Sequence, residues 1–138
     1  MKNVLGVIVG MVVGMIANMA LIILNTVFYP LPEGMSMWKM EPEQLNEHIA
    51  SLPQMAMILP LLAHLSQAFF GAWVAAKIGK SRPVLLAMII GVLTLVGGIY
   101  NFSLLPDAPK WMMIELPLYL ILAWKAGKMV EGSRSGNE

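Results

Sequence analysis

The sequence predicts an all-α integral membrane protein: an antiparallel four-helix bundle with a short interfacial helix in its first outward loop. Of the 138 residues, 58% are hydrophobic and only 12% are charged, and the mean hydropathy is +0.72. Such a chain has too few polar side chains to coat a water-soluble globule. Its apolar residues also fall in four long runs, each near the roughly 20 residues that a helix needs to cross a membrane.

The first crossing is predicted over residues 4–29 and carries an edge of small residues. Gly6, Gly10 and Gly14 recur every four residues, and Asn18 continues the same step. Helices in hydrocarbon associate through van der Waals contact and hydrogen bonds, and glycine at every fourth position lets another helix approach closely. The run is too long for a signal peptide and no cleavage site ends it, which indicates a retained helix.

The outward loop, residues 30–53, is predicted to contain the interfacial helix. Two prolines end the first crossing, and Glu41 precedes Pro42, a residue favoured at the first position of a helix. The apolar residues that follow share one helix face: Leu45, Ile49 and Leu52. We expect this helix to lie on the outer leaflet, with Trp38 at the level of the headgroups.

The other crossings are predicted at residues 54–78, 84–100 and 111–128. A short turn with glycine and proline joins the second to the third, as in an antiparallel hairpin. The second crossing has a close-packing edge of its own, formed by Gly71, Ala75 and Gly79. The polar tail, residues 129–138, is predicted to be disordered and cytoplasmic.

Basic residues predict the orientation. Seven of the nine lie at the N-terminus, in the turn between the second and third crossings, or near the C-terminus: Lys2, Lys77, Lys80, Arg82, Lys125, Lys128 and Arg134. Because cytoplasmic loops carry the excess of Lys and Arg, both termini and that turn are predicted to be cytoplasmic. Residues 30–53 and 102–110 then face outward.

Composition argues against several classes of function. A net charge of +1 gives no reason to expect nucleic acid as a partner. The absence of cysteine excludes disulfides, thiol catalysis and thiolate metal sites. No GxSxG, HExxH or phosphate-binding glycine loop occurs. We therefore expect no enzymatic activity and no cofactor, and the lipid bilayer as a partner.

Polar residues at membrane depth are the candidates for function, because placing them in hydrocarbon costs free energy. Asn18 and His64 lie about 15–17 Å from the predicted outer ends of their helices. Glu115 and Tyr119 are neighbours one turn apart on the fourth crossing, about 6 and 12 Å deep. Gln67 shares a helix face with His64. These five residues are predicted to form a buried polar cluster.

Two interpretations of this cluster stay open. A histidine beside a carboxylate can exchange protons near neutral pH, which favours a proton relay or a site for a small solute. The same side chains can also serve only as hydrogen bonds between helices.

The outward loop is rich in methionine. Met35, Met37 and Met40 form an MxMxxM pattern, and thioethers are soft ligands that select Cu(I). Methionine is also a flexible filler of cores and interfaces, and the short pattern is more typical of packing. Copper binding is therefore the third hypothesis for function.

Several short patterns resemble a group of small uncharacterised bacterial four-helix membrane proteins. They are Tyr29-Pro30-x-Pro32-Glu33-Gly34, Leu52-Pro53, Gly71-Ala72-x-Val74-Ala75-Ala76, Gly97-Gly98-x-x-Asn101 and Pro106-x-x-Pro109-x-Trp111. The resemblance spans nearly the whole chain and implies the four-helix fold and a bacterial inner membrane. It implies no functional residue. The group often has a histidine before its proline-x-tryptophan, where this chain has Asp107 and Ala108.

The leading prediction is a non-enzymatic inner-membrane protein that acts through helix packing, by self-association or by docking to another membrane protein. The many small-residue edges favour it, because packing four helices within one chain requires fewer such edges. The alternative is a minimal oligomeric transporter or channel that uses His64 and Glu115.

Overall fold

A computed structural model describes residues 1–36 and 39–136, which contain helices and no strands. The helices are α1 (Lys2–Phe28), α2 (Pro42–Ser51), α3 (Ile58–Ile78), α4 (Pro83–Leu104) and α5 (Glu115–Ser135). Two short 3-10 turns, Gln54–Met57 and Lys110–Ile114, lead into α3 and α5. The predicted all-helical class is therefore confirmed.

Three segments are long and apolar enough to cross a membrane: Lys2–Phe28, Gln54–Ile78 and Pro83–Leu104. They indicate a membrane-spanning protein. The predicted fourth crossing, residues 111–128, is not among them, because charged side chains lie along α5 and the turn before it. These are Lys110, Glu115, Lys125, Lys128, Glu131 and Arg134.

The second and fourth predicted segments begin as regular helices later than expected, and for the same reason. Pro60 is the third residue of α3, and Pro117 is the third residue of α5. A proline ring clashes with the carbonyl four residues earlier and has no N–H to donate, so an α-helix does not extend back past it. Each chain segment enters its helix through a 3-10 turn instead.

The C-terminal segment differs from the prediction, because α5 continues through the predicted tail to Ser135. Val130 is buried in the core, and one nitrogen of the Arg134 guanidinium, Nη2, donates hydrogen bonds to the end of α3. Its acceptors are the carbonyl oxygens of Ala76, Lys77 and Gly79, at 2.8, 3.2 and 2.6 Å. Carbonyls in the last turn of a helix have no partner within it, so this contact satisfies α3 and orders α5.

The short helix in the loop after α1 is present as α2. Its first turn is held by a capping box in which the Glu41 N–H donates to Gln44 Oε1 at 3.1 Å. Asn46 ties α2 to the loop between α4 and α5: its Nδ2 donates to Asp107 Oδ2 at 2.5 Å, and its Oδ1 accepts from the Asp107 N–H at 3.1 Å. The location of α2 at a membrane surface stays a prediction, and Trp38 lies outside the described residues.

Glycine determines how α1 packs on α3. Gly6, Gly10 and Gly14 are the buried residues of α1, and all three face the small-residue edge of α3. A Cβ added at Gly10 would lie 2.5 Å from the carbonyl oxygen of Gly71 and 2.9 Å from the Cβ of Ala75. The two backbones therefore touch, as the small-residue spacing allows. Much of the remaining surface of α1 is apolar and exposed.

The N-terminus, the turn between α3 and α4, and the end of α5 meet at one end of the molecule. Asn3 Nδ2 donates to the Ser81 hydroxyl at 3.0 Å, and the Lys80 N–H donates to Asn3 Oδ1 at 2.8 Å. Arg134 contacts the same turn through its hydrogen bond to Gly79. α2 and Asp107 lie at the opposite end, so the long helices alternate in direction.

Candidate functional site

The candidate site is centred on a partly buried histidine and a buried carboxyl group. Nδ1 of His64, on α3, lies 3.0 Å from Oε1 and 3.1 Å from Oε2 of Glu115, on α5. Glu115 is 1% exposed and His64 is 21% exposed. The imidazole and the carboxyl group therefore share a hydrogen bond whose proton can sit on either partner.

Local structure explains why a carboxylate is tolerated here. Glu115 is the first residue of α5, and the positive end of the helix dipole there favours negative charge. Pro117 sets that helix start. The position of the charge is thus determined by α5, and His64 supplies the partner from α3.

Tyr119 lies one turn after Glu115 and is 1% exposed. Its phenol group is next to the Glu115 carboxylate. Gly98 of α4 makes room for the ring, since a Cβ at that position would lie 2.7 Å from Cε2 and 3.3 Å from the hydroxyl oxygen of Tyr119. α4 thus holds the phenol against the carboxylate.

A second polar pair lies between α1 and α3. Asn18 Nδ2 donates a hydrogen bond to Gln67 Oε1. Gln67 follows His64 by one helical turn, so α3 presents both residues to the same region. The structure thus brings the five residues of the predicted cluster together, as two hydrogen-bonded pairs and a tyrosine.

A cavity of about 250 Å³ adjoins both pairs, and we call it the polar cavity. Its polar lining comes from all four long helices: Asn18, His64, Gln67, Thr94, Asn101 and Tyr119. Leu93 and Gly97 also line the cavity and are exposed, so it reaches the surface where α1 and α4 adjoin. Its size and lining suit several waters or one small polar solute.

The contribution of α4 to this site was missed in the sequence prediction. Asn101 fell outside the predicted crossing, which ended at residue 100, whereas α4 continues to Leu104. Thr94 gave no signal in the sequence. In the structure its hydroxyl donates to the Ile90 carbonyl of the same helix at 2.9 Å. The pair Gly97-Gly98 was the available signal, since adjacent glycines in a helix indicate close approach or open space.

The small-residue edges are used within the chain. Gly6, Gly10 and Gly14 lie against an edge of α3 that includes Gly71, Ala75 and Gly79. This face of α1 is covered, so self-association through these glycines would require α3 to move away. That contact between copies stays a prediction.

The methionine pattern is described only in part. Met35 is exposed and Met40 is half-buried, and Met37 lies outside the described residues. Within residues 1–36 and 39–136, no group of three or more His, Asp or Glu side chains could hold a metal ion. Copper binding by thioethers stays a prediction.

The geometry is suited to moving protons or holding a small polar solute. A hydrogen-bonded imidazole and carboxyl group exchange a proton without large motion, and the adjoining polar cavity can hold water. No protein family matches the chain, and no curated protein or solved structure is significantly similar to it. The resemblance to small bacterial membrane proteins therefore stays a prediction, and function is argued from the geometry alone.

Proposed function

We propose that this chain is a non-enzymatic integral membrane protein of the bacterial inner membrane, with α5 as a fourth crossing. The basic residues near the N-terminus, the α3–α4 turn and the end of α5 lie at one end, which we assign to the cytoplasm. Glu115 does not prevent α5 from crossing, because His64 pairs with it. Lys125 and Lys128 follow the apolar part of α5, where their side chains can extend toward the cytoplasmic headgroups.

We further propose that the protein conducts protons, or a small polar solute together with protons, through the polar cavity. The observation that carries this proposal is the hydrogen bond between His64 and Glu115 at the wall of that cavity. Ionisable groups inside a membrane are costly and typically mark ion pathways or proton relays. A purely structural link between α3 and α5 would need neither ionisable groups nor an adjoining cavity.

Each residue has a defined role in this mechanism. Glu115 holds the negative charge, and His64 accepts a proton from water in the polar cavity and shares it with the carboxylate. Tyr119 keeps the carboxylate in position. The amides of Asn18 and Gln67 give the cavity hydrogen-bonding groups that water or a solute can use.

The test is proton flux into vesicles. Purified protein is reconstituted into liposomes that contain a pH-sensitive dye, and a potassium diffusion potential drives protons inward. We expect flux above that of protein-free liposomes, and we expect it to fall to background in the double variant His64→Ala/Glu115→Gln. The matched control is His48→Ala/Glu47→Gln, which changes the same residue types on α2. Flux of the natural protein at the background level, or full flux in the double variant His64→Ala/Glu115→Gln, would overturn the proposal.

A second proposal concerns self-association. The polar cavity reaches the surface at Leu93 and Gly97, and polar groups facing hydrocarbon without partners cost free energy. We propose that a second copy of the chain covers this opening, so that the conducting unit is an oligomer. The glycines of α1 are then not the interface, because α3 already covers them.

Cross-linking of single-cysteine variants in membranes tests this interface. The natural chain has no cysteine, so Gly97→Cys introduces one thiol at the opening. We expect a disulfide-linked dimer from this variant after mild oxidation. Ile121→Cys, on an exposed part of α5, serves as the control and should stay monomeric. Equal cross-linking of the two variants, or none in either, would contradict the proposal.

A further inference from the structure

A second cavity, of about 220 Å³, lies at the outer end of the molecule. We call it the apolar cavity. α2 forms one of its walls through Leu45, Ile49 and Leu52, and the outer parts of α1, α3 and α4 form the others. His64 lines both cavities, so the apolar cavity lies directly outward of the polar one.

One wall of the apolar cavity carries an unused hydrogen-bond acceptor. Oδ1 of Asn25, on α1, is buried and has no hydrogen-bond partner among the described residues. Leaving such an acceptor unpaired is unfavourable, and nearly all buried polar atoms in proteins have a partner. Asn25 lines the cavity, and a rotation of its side-chain amide would bring Oδ1 to a molecule bound there, which can supply the missing donor.

The lining also limits the charge of that molecule. It contains neither carboxylate nor Lys or Arg side chains, and its two histidines, His48 and His64, carry no permanent charge. A charged ligand would therefore lack a permanent counter-ion, which is costly. The lining is largely aliphatic and aromatic. A cavity of about 150 Å³ lined by such residues is large enough to bind benzene, so the apolar cavity can hold a somewhat larger molecule.

We propose that the apolar cavity binds a small neutral molecule with an apolar ring-sized body and one O–H or N–H group that donates to Asn25 Oδ1. Phenols, aromatic alcohols and indoles belong to this class. The inference does not rest on proton conduction, since it concerns a different cavity and a different group. The hydrogen bonds between Asn46 and Asp107 hold α2, which forms one wall of the cavity, in place.

Photoaffinity labelling tests the proposal in lipid nanodiscs. The probe is a benzyl alcohol that carries a trifluoromethyl diazirine, and adducts are mapped by mass spectrometry. We expect saturable labelling concentrated on α2 and the outer end of α1. Unlabelled benzyl alcohol should compete roughly five- to tenfold better than toluene, which has the same ring but no donor; that ratio corresponds to one hydrogen bond.

Two variants test whether the preference for benzyl alcohol over toluene depends on Asn25 Oδ1, and whether the labelled site is the apolar cavity. Asn25→Leu keeps the shape and removes the amide, so we expect labelling to persist while benzyl alcohol and toluene compete equally. Asn18→Leu, one of the amides of the polar cavity, is the matched control and should retain the preference. Ile49→Trp fills the cavity and should abolish the labelling of α2.

Several results would overturn the inference. Adducts spread evenly over the exposed faces of α1 and α4 would mean that the probe is only dissolved in lipid. Equal competition by toluene in the natural protein would mean that water or lipid satisfies the Asn25 acceptor. If benzyl alcohol still competes better than toluene in Asn25→Leu, its hydroxyl group donates to a group other than Asn25 Oδ1. Each result can be read whether or not the vesicles conduct protons.

Discussion

Nδ1 of His64 lies 3.0 Å from Oε1 of Glu115, and this contact joins α3 to α5 inside the molecule. The pair differs from a surface ion pair, because the Glu115 carboxyl group is 1% exposed and depends on His64 in place of water. Removing one partner then costs more than the pair contributes over an apolar replacement. The contact therefore predicts an asymmetric response to mutation.

The first prediction concerns that asymmetry. His64→Leu leaves a buried carboxylate without its partner and should lower the free energy of unfolding by about 3 kcal/mol. Glu115→Leu leaves an imidazole, which is uncharged in its neutral form, and should cost less. The double variant should cost less than the sum of the two by at least about 1 kcal/mol. Unfolding titrations in mixed detergent micelles measure all three values.

An exposed carboxylate provides the control. Glu47 lies on the exposed side of α2, and Glu47→Leu should change the unfolding free energy by no more than about 0.5 kcal/mol. Strictly additive effects of the His64 and Glu115 substitutions would show that the two side chains do not interact in the membrane.

The depth of the polar residues could be predicted from the sequence, since the rise per residue in a helix is constant. Asn18, His64 and Tyr119 were assigned to neighbouring levels for that reason, and they line one cavity. Helix rotation and helix ends depend on tertiary contacts, which a residue count does not contain. The roles of Asn25 and Asn101 were missed because of this.

The end of α5 is a second feature that depends on tertiary contacts and was not predicted from the local sequence. The local composition after residue 128 is small and polar, which is typical of disorder. The order of this segment comes from Arg134, whose acceptors belong to α3, far away in the sequence. No pattern within the tail indicates that partner.

The second prediction concerns the room that α4 leaves for Tyr119. Gly98→Ala should push the ring away from Glu115, since the new Cβ would lie 2.7 Å from Cε2. We expect proton flux to fall at least severalfold. Gly132→Ala is the control, because a Cβ there meets nothing within 4 Å and the residue lies away from the polar cavity, so its flux should be unchanged. Equal loss in both variants would point to a general effect of the added methyl group and not to Tyr119.

The third prediction concerns Arg134. Replacing it with Gln removes the fork of donors that satisfies the last carbonyls of α3, and we expect the amides of residues 129–135 to exchange hydrogen at least tenfold faster. Lys128→Ala breaks the exposed ion pair with Glu131, whose partners are 50% and 46% exposed. Such exposed pairs contribute little to stability, so hydrogen exchange of the amides of residues 129–135 should stay near the rate of the natural protein. Hydrogen exchange read by mass spectrometry compares the two variants.

The fourth prediction concerns orientation. Single cysteines at Glu33 and at Ser81 are treated with a membrane-impermeant maleimide in intact spheroplasts. Glu33→Cys should be labelled at once, because we assign its loop to the outside, whereas Ser81→Cys should react only after permeabilisation. Labelling of Ser81→Cys in intact spheroplasts, with Glu33→Cys protected, would reverse the topology.

The fifth prediction concerns the contact between α1 and α3. Gly10→Ala would bring a methyl group within 2.5 Å of a backbone oxygen that cannot turn aside, that of Gly71. The helices must then separate, so we expect a loss of about 1–3 kcal/mol in unfolding free energy, typical of overpacking. Gly132→Ala in α5 is the matched control, because its Cβ would meet nothing within 4 Å. There the alanine should stabilise the helix by up to about 1 kcal/mol through its higher propensity. If Gly10→Ala instead left stability intact and only dissociated oligomers, the glycine edge of α1 would be an interface between copies after all.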